Sequence, residues 1–320
     1  MKVLVTGGAG FIGSHLSDRL LQEGHQLVVV DNYDAFYPRS LKESNVKSHF
    51  KSLSYQFIEE DILNPASIRK QIKGNTPELI IHLAAKAGVR PSIDNPLAYE
   101  HANVQGTLCM LEMAKELKVK KIILASSSSV YGSNPNVPWR EDDLALQPIS
   151  PYASSKIAAE AFGRTYSGLY GMNVIALRFF TVFGPRQRPD LAINKFFTAL
   201  RSNQPITVYG DGSTMRDYTF VDDIIEGIWG AIQRETRSGE FRIYNLGNSG
   251  TVRLSELING IEEVAGKKLI INRQPEQPGD VFQTYADISR AASELGFKPS
   301  TSLKTGLQKF NSWQQGLLNV

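Results

Sequence analysis

Two residues near the middle of the chain have side chains and a spacing suited to proton transfer. Tyr152 and Lys156 are four positions apart, so on a helix the phenol and the ammonium group share one face. A tyrosine has an ordinary pKa of about 10, too high for a base at neutral pH, but a nearby cation stabilises the phenolate. The serine run Ser126–Ser129 could place a hydroxyl beside that phenol. The set therefore suits removal of a proton from an alcohol or a sugar hydroxyl.

A glycine-rich segment at the start of the chain predicts the group that would move the hydride. Val3–Val5 has the apolar pattern of a strand, and the pattern from Ser14 to Gln22 is helical. Glycines between them allow a tight turn and a close approach of the backbone to a pyrophosphate, which the helix N-terminus attracts. The spacing G-x-x-G-x-x-G is a variant of the usual G-x-G-x-x-G. The segment predicts dinucleotide contacts from Gly7, Gly10, Phe11, Ile12 and Gly13.

Acidic residues at the ends of the next two predicted strands extend the dinucleotide site. Asp31 ends the second strand, eighteen residues past Gly13, where a carboxylate bonds the adenosine ribose and repels a 2′-phosphate, so NAD is favoured over NADP. Asp61 follows the third strand and could contact the adenine, although it could equally be a turn residue or a helix cap. Further NAD contacts are predicted at the same sheet edge and on the catalytic helix, from Asn32, Ile62, Leu83, Ala84, Ala85, Tyr152 and Lys156.

The elements that must position these residues follow an alternating pattern over the first 180 residues. Apolar runs predict strands at Val3–Val5, Leu27–Val30, Tyr55–Ile58, Leu79–Leu83, Lys121–Ala125 and Val174–Arg178. Helical patterns lie between them, for example at Leu97–Leu117 and Tyr152–Tyr170. This alternation predicts an α/β fold with a Rossmann-type, doubly wound parallel sheet, whose ligands bind outside the carboxyl ends of the strands.

The pattern after Thr181 is less regular and predicts a smaller, discontinuous α/β domain for the substrate. Short strands are predicted at Ile206–Tyr209, Ile243–Leu246 and Leu269–Ile271. Helices are predicted at Val221–Gln233, Leu254–Val264 and Ser302–Trp313. We expect residues 1–180 to form the dinucleotide-binding domain, with a returning segment around 217–246, and residues 181–320 to form mainly the substrate-binding domain.

Composition excludes several other classes. The net charge of +3 over 320 residues is too diffuse to suggest nucleic acid, and no apolar run reaches the ~18 residues that a membrane span needs. The first residues have a strand pattern rather than an export leader, so we expect a cytoplasmic protein. Cys109, the single cysteine, excludes an intramolecular disulfide and a cysteine-based metal site. No metal site is expected.

With these motifs, the chain resembles the extended short-chain dehydrogenases/reductases, specifically the nucleotide-sugar epimerases. The resemblance extends over essentially the whole chain, from Val3–Gly7 through Ser127–Gly132 and the Tyr152/Lys156 pair to Pro278–Asp280. It implies that NAD is the cofactor, that Tyr152 is the base with Lys156 as its partner, and that Ser127 bonds the reacting sugar hydroxyl. It also implies a homodimer formed through Leu97–Leu117 and Tyr152–Tyr170.

Differences from other members of this family restrict the reaction that the resemblance implies. The related 4,6-dehydratases carry an Asp-Glu pair where this chain has Ser128 and Ser129, and the nucleotide-glucuronate decarboxylases carry a glutamate at Ser129. The segments Arg188–Ala192 and Gln277–Val281 resemble those of UDP-glucuronate 4-epimerases. Hydroxyls of Ser128, Ser129 and Thr181 could hold a carboxylate without a full counter-charge. The resemblance therefore implies 4-epimerisation of UDP-glucuronate to UDP-galacturonate through a 4-keto intermediate.

The resemblance also implies which residues hold the nucleotide sugar. The loop at 209–218 resembles one whose arginine, here Arg216, contacts the diphosphate or uridine. An arginine at 188 would face the same groups, and Asp280 would bond a ribose hydroxyl. The predicted substrate contacts are Ser127, Ser128, Ser129, Thr181, Arg188, Arg216 and Asp280. Two alternatives stay open, a 4-epimerase of UDP-glucose/galactose or of UDP-N-acetylhexosamines, and a non-catalytic NAD-binding regulator.

Overall fold

A parallel sheet of seven strands lies at the centre of the part of the chain that this computed structural model describes, namely residues 1–72, 74–275 and 281–318. The strands of the described chain are β1 Lys2–Thr6, β2 Gln26–Asp31, β3 Tyr55–Glu59, β4 Leu79–His82, β5 Lys121–Ser127, β6 Asn173–Phe179, β7 Thr181–Phe183, β8 Ile206–Tyr209, β9 Met215–Arg216, β10 Tyr218–Phe220, β11 Phe241–Leu246, β12 Val252–Arg253 and β13 Ile271–Gln274. The central sheet has the order β11-β6-β5-β4-β1-β2-β3. The order reverses between β1 and β4, which is where ligands bind in sheets of this type.

Helices cover both faces of this sheet. They are α1 Phe11–Gln22, α2 Arg39–Val46, α3 Pro65–Gln71, α4 Val89–Asp94, α5 Pro96–Tyr99, α6 Gly106–Glu116, α7 Pro151–Tyr170, α8 Ala192–Ser202, α9 Val221–Gln233, α10 Leu254–Ala265, α11 Ser289–Leu295 and α12 Leu303–Leu318. Short 3-10 helices at His49–Lys51 and Ser128–Tyr131 and a π-helix at Glu100–Gln105 complete the described elements.

Strand β1 shows why the central strands are apolar throughout. Val3 and Val5 lie in a hydrophobic cluster on one face with Leu16 of α1, while Leu4 lies in a second cluster on the other face with Met110 of α6. Because helices cover both faces, side chains that alternate in direction are all buried. These features confirm the predicted fold class, a Rossmann-type doubly wound α/β sheet.

Helix α7 carries the predicted catalytic residues, and local features explain where it begins and ends. The Ser150 hydroxyl accepts a hydrogen bond from the Ala153 N–H at 3.2 Å, and Pro151 occupies the first helical position. Both are favourable helix-start residues. Gly171 ends the helix in the left-handed region at φ 65°, where glycine has no Cβ penalty. Tyr152 and Lys156 therefore lie in the first two turns of a helix of twenty residues, close to its well-defined start.

The second half of the chain both adds small sheets and returns to the central one. Three two-stranded sheets pair β7 with β10, β9 with β12 and β8 with β13 within the described residues. Strand β11 instead pairs in parallel with β6 as the outer strand of the central sheet. The strand pattern at Ile243–Leu246 thus belongs to the dinucleotide-type sheet rather than to a separate cap.

Several element boundaries differ from the sequence prediction. The helix predicted at Leu97–Leu117 contains the π-helix, in which Asn103 is buried and bonded to neighbouring segments. The strand predicted at Leu269–Ile271 lies later, at Ile271–Gln274, where it pairs with β8. Leu83 lies just beyond β4. No helix in residues 1–72, 74–275 or 281–318 is long and apolar enough to cross a membrane.

Candidate active site

The loop between β1 and α1 is closely packed and depends on glycine. Gly7 has φ 72°, and a Cβ built on it would lie 2.7 Å from the Ala84 nitrogen. A Cβ on Gly13 would lie only 2.2 Å from the Gly7 carbonyl oxygen. The first turn of α1, with Phe11 buried and Ile12 half-buried, has no side-chain cap. Its N–H groups can therefore face an anion.

Thr6 and His82 join this loop to the segment after β4 through a chain of ordered hydrogen bonds. The Ala84 N–H donates to Thr6 Oγ1 at 3.2 Å, and Thr6 Oγ1 donates to His82 Nδ1 at 2.7 Å. On the other side, His82 Nε2 donates to Thr107 Oγ1 at 3.2 Å, because that hydroxyl donates to the Asn103 carbonyl. Burial lowers the pKa of His82 to about 3, so the ring is neutral. This series of hydrogen bonds fixes the position of Leu83, Ala84 and Ala85.

We expect Thr6→Val to lower the free energy of unfolding by about 1–3 kcal/mol, because it leaves the buried His82 and Ala84 groups without a partner. Urea unfolding monitored by circular dichroism measures this change. Thr207→Val is the matched control, since Thr207 is exposed on β8. Equal stability of Thr6→Val and the wild type would contradict the role of Thr6.

Asp31 and Asp61 both hold neighbouring backbone at the carboxyl edge of the sheet. The Asp31 carboxylate accepts hydrogen bonds from the N–H groups of Ala9 at 3.0 Å and Tyr33 at 2.9 Å. Burial raises the pKa of Asp31, which is 8 % exposed. Asp61 accepts from the Asn32 side chain at 2.8 Å and from the Leu63 N–H at 2.9 Å. Asp61 therefore forms a turn and also joins the ends of β2 and β3, next to the buried Ile62.

The end of β5 and the start of α7 bring the predicted catalytic side chains together. Lys156 Nζ donates to the Ala125 carbonyl at 2.7 Å and lies 6.0 Å from the centre of the Tyr152 ring. Ser127 is hydrogen-bonded to the Tyr152 side chain and lies 3.1 Å, oxygen to oxygen, from the Ser129 hydroxyl. The arrangement places the ammonium group, the phenol and a serine hydroxyl next to one another.

Burial opposes the effect of neighbouring polar and charged groups on the pKa values of the two predicted catalytic groups. Burial raises the pKa of Tyr152, whereas the hydrogen bond from Ser127 and the charge of Arg188 lower it. Burial lowers the pKa of Lys156 to about 8, and the negative charge of Glu160 opposes that shift. Both groups therefore depend on nearby charges to ionise, which is common at active sites.

A cleft of about 160 Å³ is lined by residues that follow β5, by the residue before α7 and by residues of the smaller sheets. Four predicted substrate residues, Ser128, Ser129, Thr181 and Arg216, line it together. Arg216 donates to the Met215 carbonyl at 2.8 Å and to the Phe282 carbonyl at 3.3 Å. The cleft also has residues that were not among the predicted site residues, namely Val89, Gly132, Trp139, Ile149, Ser150, Val281 and Thr284.

Arg188 lies near Tyr152, and other residues of the protein already bind its guanidinium. Its guanidinium bonds both oxygens of Asp190, at 2.9 and 2.6 Å, and donates to the Ala87 carbonyl at 3.2 Å. The Phe36 ring lies 4.9 Å from it. The preceding Arg186, which the sequence leaves unassigned, pairs with Asp18 of α1 at 2.6 Å. The role of Arg188 in holding a diphosphate stays a prediction, as does that of Asp280, which lies outside the described residues.

The site thus brings together residues from distant parts of the chain. The carboxyl ends of β1, β2, β4 and β5 and the first turns of α7 provide the predicted cofactor and catalytic groups, and β7 and β9 provide Thr181 and Arg216. Thr284 and Trp139 have no motif that could reveal them, since only the tertiary fold places them at the cleft. Within the described ranges, no cluster of three or more His, Cys, Asp or Glu side chains could hold a metal ion.

Known proteins are similar to this chain over nearly its full length. The family model described as GDP-mannose 4,6 dehydratase matches residues 4–310. The chain is 37% identical to a probable UDP-glucuronate 4-epimerase of Rhizobium meliloti, covering 98% of this chain and 96% of that one. It is 39% identical to UDP-glucuronate 4-epimerase 3 of Arabidopsis thaliana, covering 99% of this chain and 77% of that one.

A solved structure has the same fold. It is a UDP-glucuronic acid 4-epimerase of Bacillus cereus in complex with UDP-glucuronic acid and NAD, at a TM-score of 0.93 and 36% identity. The alignment covers 99% of this chain and 100% of that chain. From the match of the family model and these relatives, the chain belongs to the GDP-mannose 4,6 dehydratase family of extended short-chain dehydrogenases/reductases.

Proposed function

We propose that the protein is an NAD-dependent UDP-sugar 4-epimerase that interconverts UDP-glucuronate and UDP-galacturonate through a 4-keto intermediate. One observation carries the proposal: Ser128, Ser129, Thr181 and Arg216 line one cleft, and the Ser129 hydroxyl in it lies 3.1 Å from that of Ser127 at the end of β5. That cleft can hold a carboxylate near a proton-transfer group and a diphosphate further away. The similarity to UDP-glucuronate 4-epimerases supports the same substrate.

The residues of the β1–α1 loop fit NAD. Cβ atoms at Gly7 and Gly13 would fill the space along the loop, so their absence leaves backbone that a pyrophosphate can approach. Asp31 and Asn32 would hold the adenosine ribose, and Lys156 the nicotinamide ribose. NAD bound at this loop would supply the hydride acceptor for C4 of the sugar and, in the second half of the reaction, the hydride donor.

The chain's own residues would move the proton. The Tyr152 phenolate removes the proton of the C4 hydroxyl, and Ser127 orients that hydroxyl through its bond to the phenol. Lys156, held by the Ala125 carbonyl, stabilises the phenolate as a neighbouring cation. Return of the proton from Tyr152 completes the reaction once the keto sugar has turned over in the cleft.

Serines at 128 and 129 favour epimerisation over the dehydration in the name of the family model. Elimination of water from a sugar needs an acid and a base beside the keto group, and neither serine can act as a carboxylate. The glucuronate carboxyl group is attached to C5, next to the reacting C4. Ser129 lies 3.1 Å from Ser127, so hydroxyls that bond this carboxylate would lie beside the residue that orients the C4 hydroxyl.

Product analysis after incubation with UDP-glucuronate, without added NAD, tests the proposal. We expect UDP-galacturonate to form, because the loop would retain NAD through purification. A panel of UDP-glucose, UDP-galactose and UDP-N-acetylglucosamine separates the alternative sugars, and conversion of only these would overturn the glucuronate assignment. Binding of NAD without conversion of any UDP-sugar would instead indicate a non-catalytic regulator.

We expect Asp31→Ala to weaken NAD binding and to reduce the preference for NAD over NADP. Loss of the carboxylate removes a ribose partner, a repulsion of the 2′-phosphate and the bond to the Ala9 N–H. Calorimetric titration with both cofactors measures the ratio of dissociation constants. Asp142→Ala is the control, because Asp142 is half-exposed and pairs only with Arg140 among its charged neighbours in the described chain. Equal affinity of the wild type for NAD and NADP would contradict this role of Asp31.

We further propose that residues 1–180, with the returning segment around 217–246, bind NAD and that the rest of residues 181–320 binds the UDP-sugar. A homodimer through α5, α6 and α7 is also proposed. Leu97 and Leu169, 77% and 69% exposed on two of these helices, support it, and a monomeric mass in analytical ultracentrifugation would contradict it.

We propose the cytoplasm as the compartment of the protein. The half-buried free thiol of Cys109 is compatible with the reducing conditions there.

A further inference from the structure

Glu160 lies one further turn along α7 from Lys156, so Tyr152, Lys156 and Glu160 follow each other on one helix face. Successive residues of β5 hold the second and third of them. The Ala125 carbonyl accepts from Lys156 Nζ at 2.7 Å, and Ser126 Oγ donates to Glu160 Oε1 at 2.5 Å. The end of β5 therefore holds both side chains, Lys156 through a backbone carbonyl and Glu160 through a serine hydroxyl.

The carboxylate of Glu160 is paired in the interior of the protein. Arg178 of β6 bonds both of its oxygens, Nε to Oε1 at 2.9 Å and Nη2 to Oε2 at 2.7 Å. Glu160 is 6% exposed and Arg178 is 2% exposed. Ser126 and Arg178 are direct partners on neighbouring strands, so their side chains share one face of the sheet. The Tyr131 ring, 4.8 Å from the guanidinium, covers the pair.

Charges around Lys156 come from two elements. Tyr152 and Glu160 face it from its own helix, and His82 faces it from β4. His82 is neutral because burial lowers its pKa to about 3. Burial also lowers the pKa of Lys156, and Glu160 is the charge that opposes this effect. A carboxylate near a buried ammonium group favours the protonated form of that group.

We propose that Glu160 is a positioning residue whose carboxylate keeps Lys156 protonated beside Tyr152, and that Arg178 and Ser126 hold Glu160 in place. The proposal rests on the proposed function for the role of Tyr152, but it concerns only the charge that acts on Lys156. A role of this kind explains why an ion pair lies buried on the catalytic side of α7, where an apolar pair of similar volume would be at least as stable.

Two variants test it, because Glu160→Gln alone leaves a buried guanidinium without its carboxylate and can fail to fold. The double variant Glu160→Gln/Arg178→Met removes both charges. In both, we expect the alkaline limb of the kcat profile to move to lower pH by about one unit, because Lys156 loses its proton earlier. KM for UDP-glucuronate should not change. Glu263→Gln, in an exposed pair with Lys304, is the control.

A second readout needs no turnover. Tyrosinate absorbance of the NAD-loaded protein, minus that of the same protein with Tyr152→Phe, reports ionisation of Tyr152 alone. We expect less tyrosinate at a given pH in the double variant than in the wild type. This signal remains if the protein does not epimerise UDP-glucuronate, so failure of the proposed function is separate from failure of this inference. An unchanged tyrosinate signal in the folded double variant would overturn the role of Glu160.

Discussion

Replacement of Tyr152 by phenylalanine is expected to lower turnover of UDP-glucuronate by at least ~10²-fold, the lower range for loss of a general base. The phenol is the group within reach of both Ser127 and the Lys156 cation, and phenylalanine retains the ring that packs against Tyr99 at 6.1 Å. Binding of the UDP-sugar should therefore remain close to that of the wild type. Steady-state kinetics and calorimetric titration measure the two quantities separately.

Tyr170→Phe is the matched control for this change. Tyr170 ends the same helix and is half-exposed, with its ring against Tyr166, so loss of its hydroxyl should leave turnover unchanged. Turnover of the Tyr152 variant near the wild-type rate would show that another group removes the proton, and the proposed mechanism would then be wrong.

Gly13→Ala is expected to raise the dissociation constant for NAD about ten- to a hundredfold. The added Cβ would lie 2.2 Å from the Gly7 carbonyl oxygen and 2.7 Å from the Gly8 Cα, so the loop or the start of α1 must move. Binding of NAD would require the displaced loop to return to its present position, so the overpacking cost of about 1–3 kcal/mol is lost from the binding free energy, in which each 1.4 kcal/mol is a factor of ten in affinity. Titration of protein freed of its copurified cofactor gives the constant.

Gly316→Ala controls for the general effect of a methyl group. Gly316 lies in α12, and no heavy atom lies within 4 Å of its built Cβ. Alanine there should leave NAD affinity unchanged and add slightly to helix stability. Wild-type affinity in Gly13→Ala would mean that the pyrophosphate does not depend on the packing of this loop.

Periodicity predicts the central sheet well because its strands are buried on both faces, and β1 to β6 appear as apolar runs. It predicts the irregular region less well. The strand expected at Leu269–Ile271 is instead Ile271–Gln274, whose residues are all exposed, so an apolar pattern cannot mark it. The π-helix at Glu100–Gln105 is also invisible in the sequence, because its apolar spacing resembles that of an ordinary helix.

The residues of the candidate site likewise divide into those that the sequence predicts and those that only the structure reveals. Tyr152, Lys156 and the glycines occur in short motifs whose spacing has a local physical reason. Glu160 was accessible to the same reasoning, since it follows Lys156 by four residues, but a glutamate on a helix is usually a surface residue. Only the position of Arg178 on β6 reveals that it is buried and paired. Trp139 and Thr284 depend wholly on tertiary contacts.

The position of β11 at the edge of the central sheet has a consequence for the order of folding during synthesis. Strand β6 pairs on one side with β5 and on the other with Phe241–Leu246. Until the ribosome has released residue 246, that second side is an unpaired edge beside an apolar run, which other chains can join. Completion of the nucleotide-binding core therefore waits for most of the polypeptide, and a nascent chain halted near residue 180 would present a surface for chaperones.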